Sequence, residues 1–343
     1  MEVTISIPVY NVESYIEQSL LSALNQQFDQ PYEVLVIDDG STDRSMLLVE
    51  QIRQSHRRGE RVRIIQMPQH NGPGDTRNVS IERCQGKYLL FLDADDRLAD
   101  DALAILYELA EQHLADVVAG STDEVRGQTV SHGYHLEPQV ICQPAAGVYL
   151  HAHGSLLNIE MWNKLFRTDF LRQHQLRCVH PVIEDSLFDF EMRIAAQSLV
   201  LTDRVTYYYT QRPDSVMGQQ LGHPISDQLI DIHCDIIRQT QQLVSQRYAN
   251  VAGIYDLYCL RLAYLWYTLS RTQLTSAQEQ QVDACMIQSL QFIPHMRSLQ
   301  QGIYRYAYLY CRLRHKDWHR FGYIYNQRYT RWHRLMAFCL SYL

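Results

Sequence analysis

No run of apolar residues approaches the ~20 that a membrane-spanning helix needs. The longest clean stretches, such as Leu335–Leu340, fall far short, so the chain is not expected to span a bilayer. Its eight cysteines, at 84, 142, 178, 234, 259, 285, 311 and 339, form no Cys-x-x-Cys pair. That excludes the common zinc and dithiol spacings and points to reduced thiols in a cytoplasmic protein. The beginning, Thr4-Ile5-Ser6-Ile7-Pro8, reads as a strand with no basic segment and apolar run before it, so no secretory signal is expected. The first strand is not followed by Gly-x-Gly-x-x-Gly, which excludes a dinucleotide-binding dehydrogenase. A Gly-rich loop with a basic residue, as a sugar-nucleotide-forming nucleotidyltransferase would carry, is missing there too. Surplus positive charge is also absent. The net charge of −7 argues against nucleic acid as the principal partner.

What is present is an ordinary globular composition, 343 residues of which 46% are hydrophobic. That suffices for one large or two smaller domains. Val3–Pro8, Glu33–Ile37, Val62–Ile65, Tyr88–Leu92 and Asp116–Ala119 are short runs rich in Val, Ile and Leu. Such runs suit strands buried on both faces. Between them, Tyr15/Leu20/Leu24, Leu47/Leu48/Ile52, Val79/Ile81 and Leu103/Leu106/Leu109/Ala110 have helical spacing. The alternation predicts an α/β protein: a mainly parallel sheet with helices on both faces. Further on, a helix is expected from Asp185 to Ala196 and a strand from Val205 to Tyr209. Beyond about Pro224 the pattern is helical, in Ile225–Tyr248, Ile254–Leu269 and Ala277–Leu290.

Ligands of open parallel sheets bind beyond the carboxyl ends of the strands. The first four strands end in Pro8-Val9-Tyr10-Asn11, Asp38-Asp39-Gly40-Ser41, Asn71-Gly72 through Arg77-Asn78, and Asp93-Ala94-Asp95-Asp96. Apolar strands thus deliver polar and turn-forming residues to one edge. Asp93 and Asp95, two residues apart, repel each other unless a cation or hydrogen-bond donors intervene. Hard oxygen ligands of this kind suit Mg²⁺ or Mn²⁺ shared with substrate phosphates. A capped turn before a helix over Ala99–Leu114 is the plainer reading of the triplet taken alone.

Together, Ile7-Pro8-Val9-Tyr10-Asn11, Val36-Ile37-Asp38-Asp39-Gly40-Ser41-Thr42-Asp43, Asn71-Gly72…Arg77-Asn78 and Phe91-Leu92-Asp93-Ala94-Asp95-Asp96 resemble, in order and spacing, the signature of glycosyltransferase family 2. The resemblance runs from residue 1 to about 215. It implies a GT-A fold, an inverting mechanism and a nucleotide diphosphate sugar donor, commonly a UDP-sugar. It implies a hexosyl- or N-acetylhexosaminyltransferase acting on a hydroxyl of a glycan or lipid-linked acceptor. By the same likeness, Pro8 and Tyr10 line the nucleobase pocket, Asp39 bonds the base and Arg77 reaches the nucleotide. Asp93, with Ala94 beside it, lies near the ribose or sugar, and Asp95 ligates Mn²⁺ or Mg²⁺. Asp38 is read as bracing its turn and Asp96 as capping the next helix; core packing for Tyr10 and a surface position for Arg77 are the plainer readings. The implied organisation is a nucleotide-sugar half over 1–120, an acceptor and base half over 121–222, and a helical region over 223–343.

Inverting transfer needs one base for the acceptor hydroxyl. Asp185, at a predicted helix start, matches the family's base, with Glu184 orienting acceptor or base; two acids favoured by the helix dipole are the alternative. Asp189 and Glu191 lie on the same helix. Trp162 either stacks on an acceptor sugar or anchors the acceptor half, and both stay open. Arg212, opening Arg212-Pro213-Asp214-Ser215, resembles the start of a loop closing over the diphosphate. His180 and His223 are histidines without a pattern that makes them ligands. Residues 303–343 hold Arg305, Arg312, Arg314, Lys316, Arg320, Arg328, Arg331 and Arg334 against Asp317 alone, interleaved with Tyr and Trp. That mixture suits the cytoplasmic surface of an anionic membrane; a helical cap on the catalytic domain is the other main reading.

Overall fold

The structure is a computed structural model that describes residues 1–142, 160–179 and 185–212, with scattered positions between 226 and 281. The chain divides into two compact units, Met1–Leu150 with Gly154–Ser215, and His151–His153 with Val216–Leu343. The second unit is described only in part. Its described residues between 227 and 281 are helical apart from Thr275, and Gln278 donates to Asp227 over 2.7 Å. Ile254–Leu269 and the basic, aromatic stretch 303–343 lie outside the described residues.

The first unit is built on one sheet of strands β1 (Val3–Val9), β2 (Tyr32–Asp38), β3 (Val62–Gln66), β4 (Tyr88–Phe91), β5 (Arg97–Leu98), β6 (Val117–Arg126), β7 (Thr129–His132), β8 (Gln139–Cys142), β9 (Lys164–Arg167) and β10 (Ser198–Thr210). Its helices are α1 (Ile16–Leu24), α2 (Ser45–Ser55), α3 (Pro73–Arg83), α4 (Ala102–His113), α5 (Thr168–Gln173) and α6 (Asp185–Ala195). Strand order is β3-β2-β1-β4-β9-β6-β10-β5, with β7 beside β6 and β8 beside β10. The first four strands are parallel, whereas β9 runs antiparallel to both neighbours. Past β9, β6 and β10 are parallel again.

Side chains alternate across this sheet, as a strand's period of two requires. Tyr88, Leu90 and Leu92 pack with Ile5 and Ile7 of β1, Leu20 of α1 and Leu103 and Leu106 of α4. On the other face Leu89 and Phe91 meet Ile81 of α3, Phe166 of β9, Phe170 of α5 and Phe188 of α6. Helices cover both faces, which is why β2 and β4 are buried along their whole length. One position of a helical stripe is corrected: in α2, Leu48 and Ile52 pack against the core, but Leu47 is 56% exposed and Val49 is buried instead. The helix after β4 begins at Ala102, and the strand expected at Val205 begins at Ser198.

Near the amino ends of the strands, a polar knot fixes the β1–β4 register. Thr4 Oγ1 donates to Glu33 Oε1 (2.7 Å) and accepts from the Gly86 N–H (2.9 Å); Glu33 also pairs with Arg63 at 2.8 Å. A Cβ on Gly86 would lie 2.4 Å from the Thr4 nitrogen and 2.6 Å from the Tyr88 oxygen, both backbone atoms. Gly86→Ala is therefore expected to cost more than the ~1–3 kcal/mol of ordinary overpacking. A lowered denaturant midpoint in a urea titration checks it.

Candidate functional site

The loops after β1 and β2 are stitched together by short polar side chains. Asn11, held at φ +50, accepts from the Thr42 N–H at 2.8 Å through its Oδ1. Asp38 Oδ1 accepts from the Ser41 N–H at 2.9 Å, so it braces its turn as expected. Asp39, 2% exposed, turns toward the next loop. Its two oxygens accept from the N–H groups of Asn71 (2.9 Å) and Gly72 (2.8 Å), and His70 Nδ1 stands 2.7 Å from Oδ2. Three of a carboxylate's roughly four acceptor positions are thus taken, leaving about one for a ligand. Pro8 is half-buried in β1, and Tyr10 is exposed rather than packed in the core. The Tyr10 ring stacks on His70 with centroids 3.8 Å apart. His70 was not singled out from the sequence; its place beside Asn71-Gly72 was the available signal.

Gly72 (φ +93) and Pro73 start α3, whose next turn carries Arg77 and Asn78. Arg77 is buried, and its Nη2 donates to Asp93 Oδ1 at 2.8 Å. Asn78 clasps the backbone of Cys178, accepting its N–H (2.8 Å) and donating to its carbonyl (2.7 Å). One α3 turn therefore reaches both the end of β4 and the segment leading toward α6.

At the end of β4, Ala94 is buried in the core, which seats the turn between Asp93 and Asp95. Asp95 Oδ2 lies 2.7 Å from Arg212 Nε. Arg212 also sits over the Tyr15 ring, 5.1 Å from its centroid. Burial and then the charge of Asp93 push the Asp95 pKa up, with Arg212 pulling the other way. Asp96 is not a helix cap. It accepts from the Tyr207 hydroxyl (2.8 Å) and the Thr210 N–H (2.7 Å), binding β4 to β10. Burial, then the charges of Asp95 and Asp93, raise its pKa well above the usual range.

Asp185 is the first residue of α6. Burial raises its pKa to about 6, opposed by Arg77 and reinforced by Glu160 and Asp189. Asp189 is itself buried and paired with Arg193 at 2.7 Å, and Glu191 is 3% exposed, so neither stands open as a base. Glu184, His180 and His223 lie outside the described residues. Trp162 stacks with Tyr207 (4.7 Å) and Tyr209 (5.7 Å), each at 15°, and is partly buried against the core. Neighbouring Asn163, at φ +58, accepts from the Thr206 hydroxyl at 2.5 Å and donates to the Gly120 carbonyl at 2.6 Å.

The structure thus brings Asp93, Asp95, Arg77 and Arg212 together and places Pro8 near the end of β1 and Tyr10 and Asp39 on the adjoining loops. Acids and arginines at the ends of parallel strands, in a sheet covered on both faces, define an α/β protein of the GT-A type. Residues 4–181 match the family described as Glycosyl transferase family 2, and the chain belongs to that family. It is 28% identical over 229 residues to poly(ribitol-phosphate) beta-N-acetylglucosaminyltransferase TarS of Staphylococcus aureus, covering 65% of this chain and 38% of that protein. Identity to poly(ribitol-phosphate) beta-glucosyltransferase of Bacillus spizizenii is 27% over 218 residues, 62% of this chain and 33% of the relative. The chain therefore spans under two fifths of the length of these two relatives. The crystal structure of S. aureus TarS 1-349 in complex with UDP-GlcNAc superposes with a TM-score of 0.69 at 22% identity, covering 96% of this chain and 91% of that one. That likeness shows the shared fold.

The tie between β10 and the acid triplet can be tested directly. Tyr207, fully buried, donates to Asp96 and accepts the Asp93 N–H at 3.1 Å. Tyr207→Phe leaves both groups short of a partner and is expected to destabilise the fold by about 1–3 kcal/mol. Equilibrium denaturation measures it.

Proposed function

We propose that the chain is an inverting glycosyltransferase that moves a sugar from a nucleoside diphosphate donor to an acceptor hydroxyl. A UDP-sugar is the donor this reading favours, since one relative was crystallised with UDP-GlcNAc. The acceptor class is a glycan or lipid-linked glycan. The observation that carries the reading is the acid triplet after β4, held between Arg77 and Arg212. In this reading residues 1–120 hold the donor and residues 121–222 the acceptor and base, with 223–343 as a helical appendage. Residues 303–343 would meet an anionic membrane surface through their cations and aromatic rings. Among the described residues, no helix is long and apolar enough to cross a membrane.

Tyr10 and His70 offer a flat surface to the nucleobase, Pro8 borders it, and Asp39 has about one acceptor position left for the base. The donor set fits a hard divalent cation. Burial and the neighbouring acid raise the Asp95 pKa, marking a carboxylate with excess negative charge around it, and Arg212 supplies one countercharge. Asp95 would hold Mn²⁺ or Mg²⁺, with Asp93 close by, and such an ion would neutralise the diphosphate leaving group. Arg212, on leaving Asp95, can pair with a phosphate oxygen instead. Asp185 takes the proton of the acceptor hydroxyl as its oxygen bonds to the anomeric carbon and the bond to the diphosphate breaks. Glu184 orients acceptor or base, and Trp162 presents its indole to an acceptor ring.

Asp95→Asn is expected to abolish metal-dependent UDP release from a UDP-sugar while circular dichroism stays native. It should also remove the stabilisation given by donor with Mn²⁺, about 2.7 kcal/mol at a hundredfold excess over Kd, which is read as a rise in melting temperature. Retained activity and metal dependence would exclude the assignment. For Asp185 the sign follows from its role: a base works ionised, so turnover is full above pH ~6 and falls roughly tenfold per unit below it. Asp185→Asn should lower kcat by ~10² or more with donor affinity nearly unchanged. A normal rate for this variant would remove Asp185 from the mechanism.

A further inference from the structure

The β6–β7 hairpin carries a cluster that the reaction above does not use. Its register sets Asp123 opposite His132, and the chain after β7 stays bonded to β6. Thr122 N–H donates to the Tyr134 carbonyl (2.9 Å), Tyr134 N–H to Thr122 Oγ1 (3.0 Å), and Leu136 N–H to Ser121 Oγ (2.9 Å). Leu136 is buried, so His135 is bracketed by two anchored neighbours. Its Nε2 lies 2.9 Å from Asp123 Oδ1, while His132 Nδ1 lies 3.7 Å from the same oxygen. The imidazoles meet edge to face with centroids 5.0 Å apart. One ligand atom from each of the three residues lies within 4.8 Å of the others. Gly133 makes the return possible, since a Cβ there would stand 2.8 Å from the Thr122 carbonyl oxygen.

Ligand atoms bound at 2.0–2.1 Å to a tetrahedral ion are roughly 3.3 Å apart. The separations of 2.9 and 3.7 Å from Asp123 bracket that value, so little adjustment is needed on that side. Two imidazoles and one carboxylate suit a borderline transition ion, unlike the all-oxygen chemistry of Asp93 and Asp95. We propose that Asp123, His132 and His135 form a second metal site, one for a zinc-type divalent ion. Three protein ligands leave a fourth position for water or a ligand oxygen. Both rings are exposed, so an ion reaches them without unfolding, and binding takes the place of the Asp123–His135 hydrogen bond. The cluster lies in the carboxyl-terminal half of β6, with Asp123 paired to Tyr208 of β10, the strand that runs on to Arg212. The inference does not rest on the transferase reading.

The test uses the full chain, stripped with a chelator and titrated with Co²⁺, whose low-coordinate complexes absorb strongly in the visible. One equivalent should develop these bands, and Zn²⁺ should displace it. The His132→Ala/His135→Ala double variant should lose the bands and bind at least roughly tenfold more weakly, a loss seen even when only outer-shell partners are removed. Gly133→Ala, which keeps all three ligands but crowds the return, should weaken binding too. Asp95→Asn should titrate like the parent. Absent visible bands, bands unchanged in the double variant, or bands lost in Asp95→Asn would each overturn the site. UDP release, measured on the same samples, reads the transferase proposal separately.

Discussion

Three carboxylates crowd the four residues Asp93–Asp96 beyond β4, in a turn where Ala94 is buried in the core. Like charges this close disfavour one another's ionisation, and the raised pKa values of Asp95 and Asp96 express that conflict. Each acid is managed differently: Asp93 by the Arg77 guanidinium, Asp95 by Arg212, and Asp96 by a tyrosine hydroxyl and a backbone N–H. These partners come from α3, from beyond β10, and from β10 itself. Much of the surrounding architecture serves to bring them to one place. The arrangement stays poised, because Arg212 is more exposed than Arg77 and pairs with the acid that a hard cation would also claim.

Adjacent residues on a helix point about 100° apart, so they serve different neighbours. Arg77 reaches the acid triplet while Asn78 holds the backbone at Cys178, seven residues before Asp185. Arg77 also lowers the Asp185 pKa against the larger effect of burial. A single turn of α3 thereby ties the first half of the sheet to the start of α6. Disturbing that turn would reach both carboxylate centres, Asp93 through direct contact with Arg77 and Asp185 through the charge of Arg77.

The antiparallel β9 sets the other half. Inserted between β4 and β6, it carries Trp162 and Asn163 at its leading edge, where Asn163 spans Gly120 and Thr206 and the indole lies on Tyr207 and Tyr209. The two sequence readings of Trp162 are therefore compatible: the ring is partly buried against the core and still partly accessible.

The four strand ends, the α/β alternation and the position of Asp185 at a helix start could be read locally. Apolar runs of four to six residues mark strands buried on both faces, and polar residues directly after them mark the open edge. The helix α4 was equally plain, because its apolar residues recur at helical spacing. The α2 stripe held for Leu48 and Ile52, which pack against the core, but Leu47 is exposed and Val49 is buried instead, a choice between two apolar neighbours that only packing makes. Asp96 looked like a helix cap, yet its partners Tyr207 and Thr210 lie 111 and 114 residues away. The Tyr10–His70 stack, the Arg212–Asp95 pair and the Asp123/His132/His135 cluster left no such mark. Hydrophobic periodicity is a local record of burial and is printed in the sequence. Which distant polar groups meet depends on strand order and register, and these are settled only when the sheet assembles.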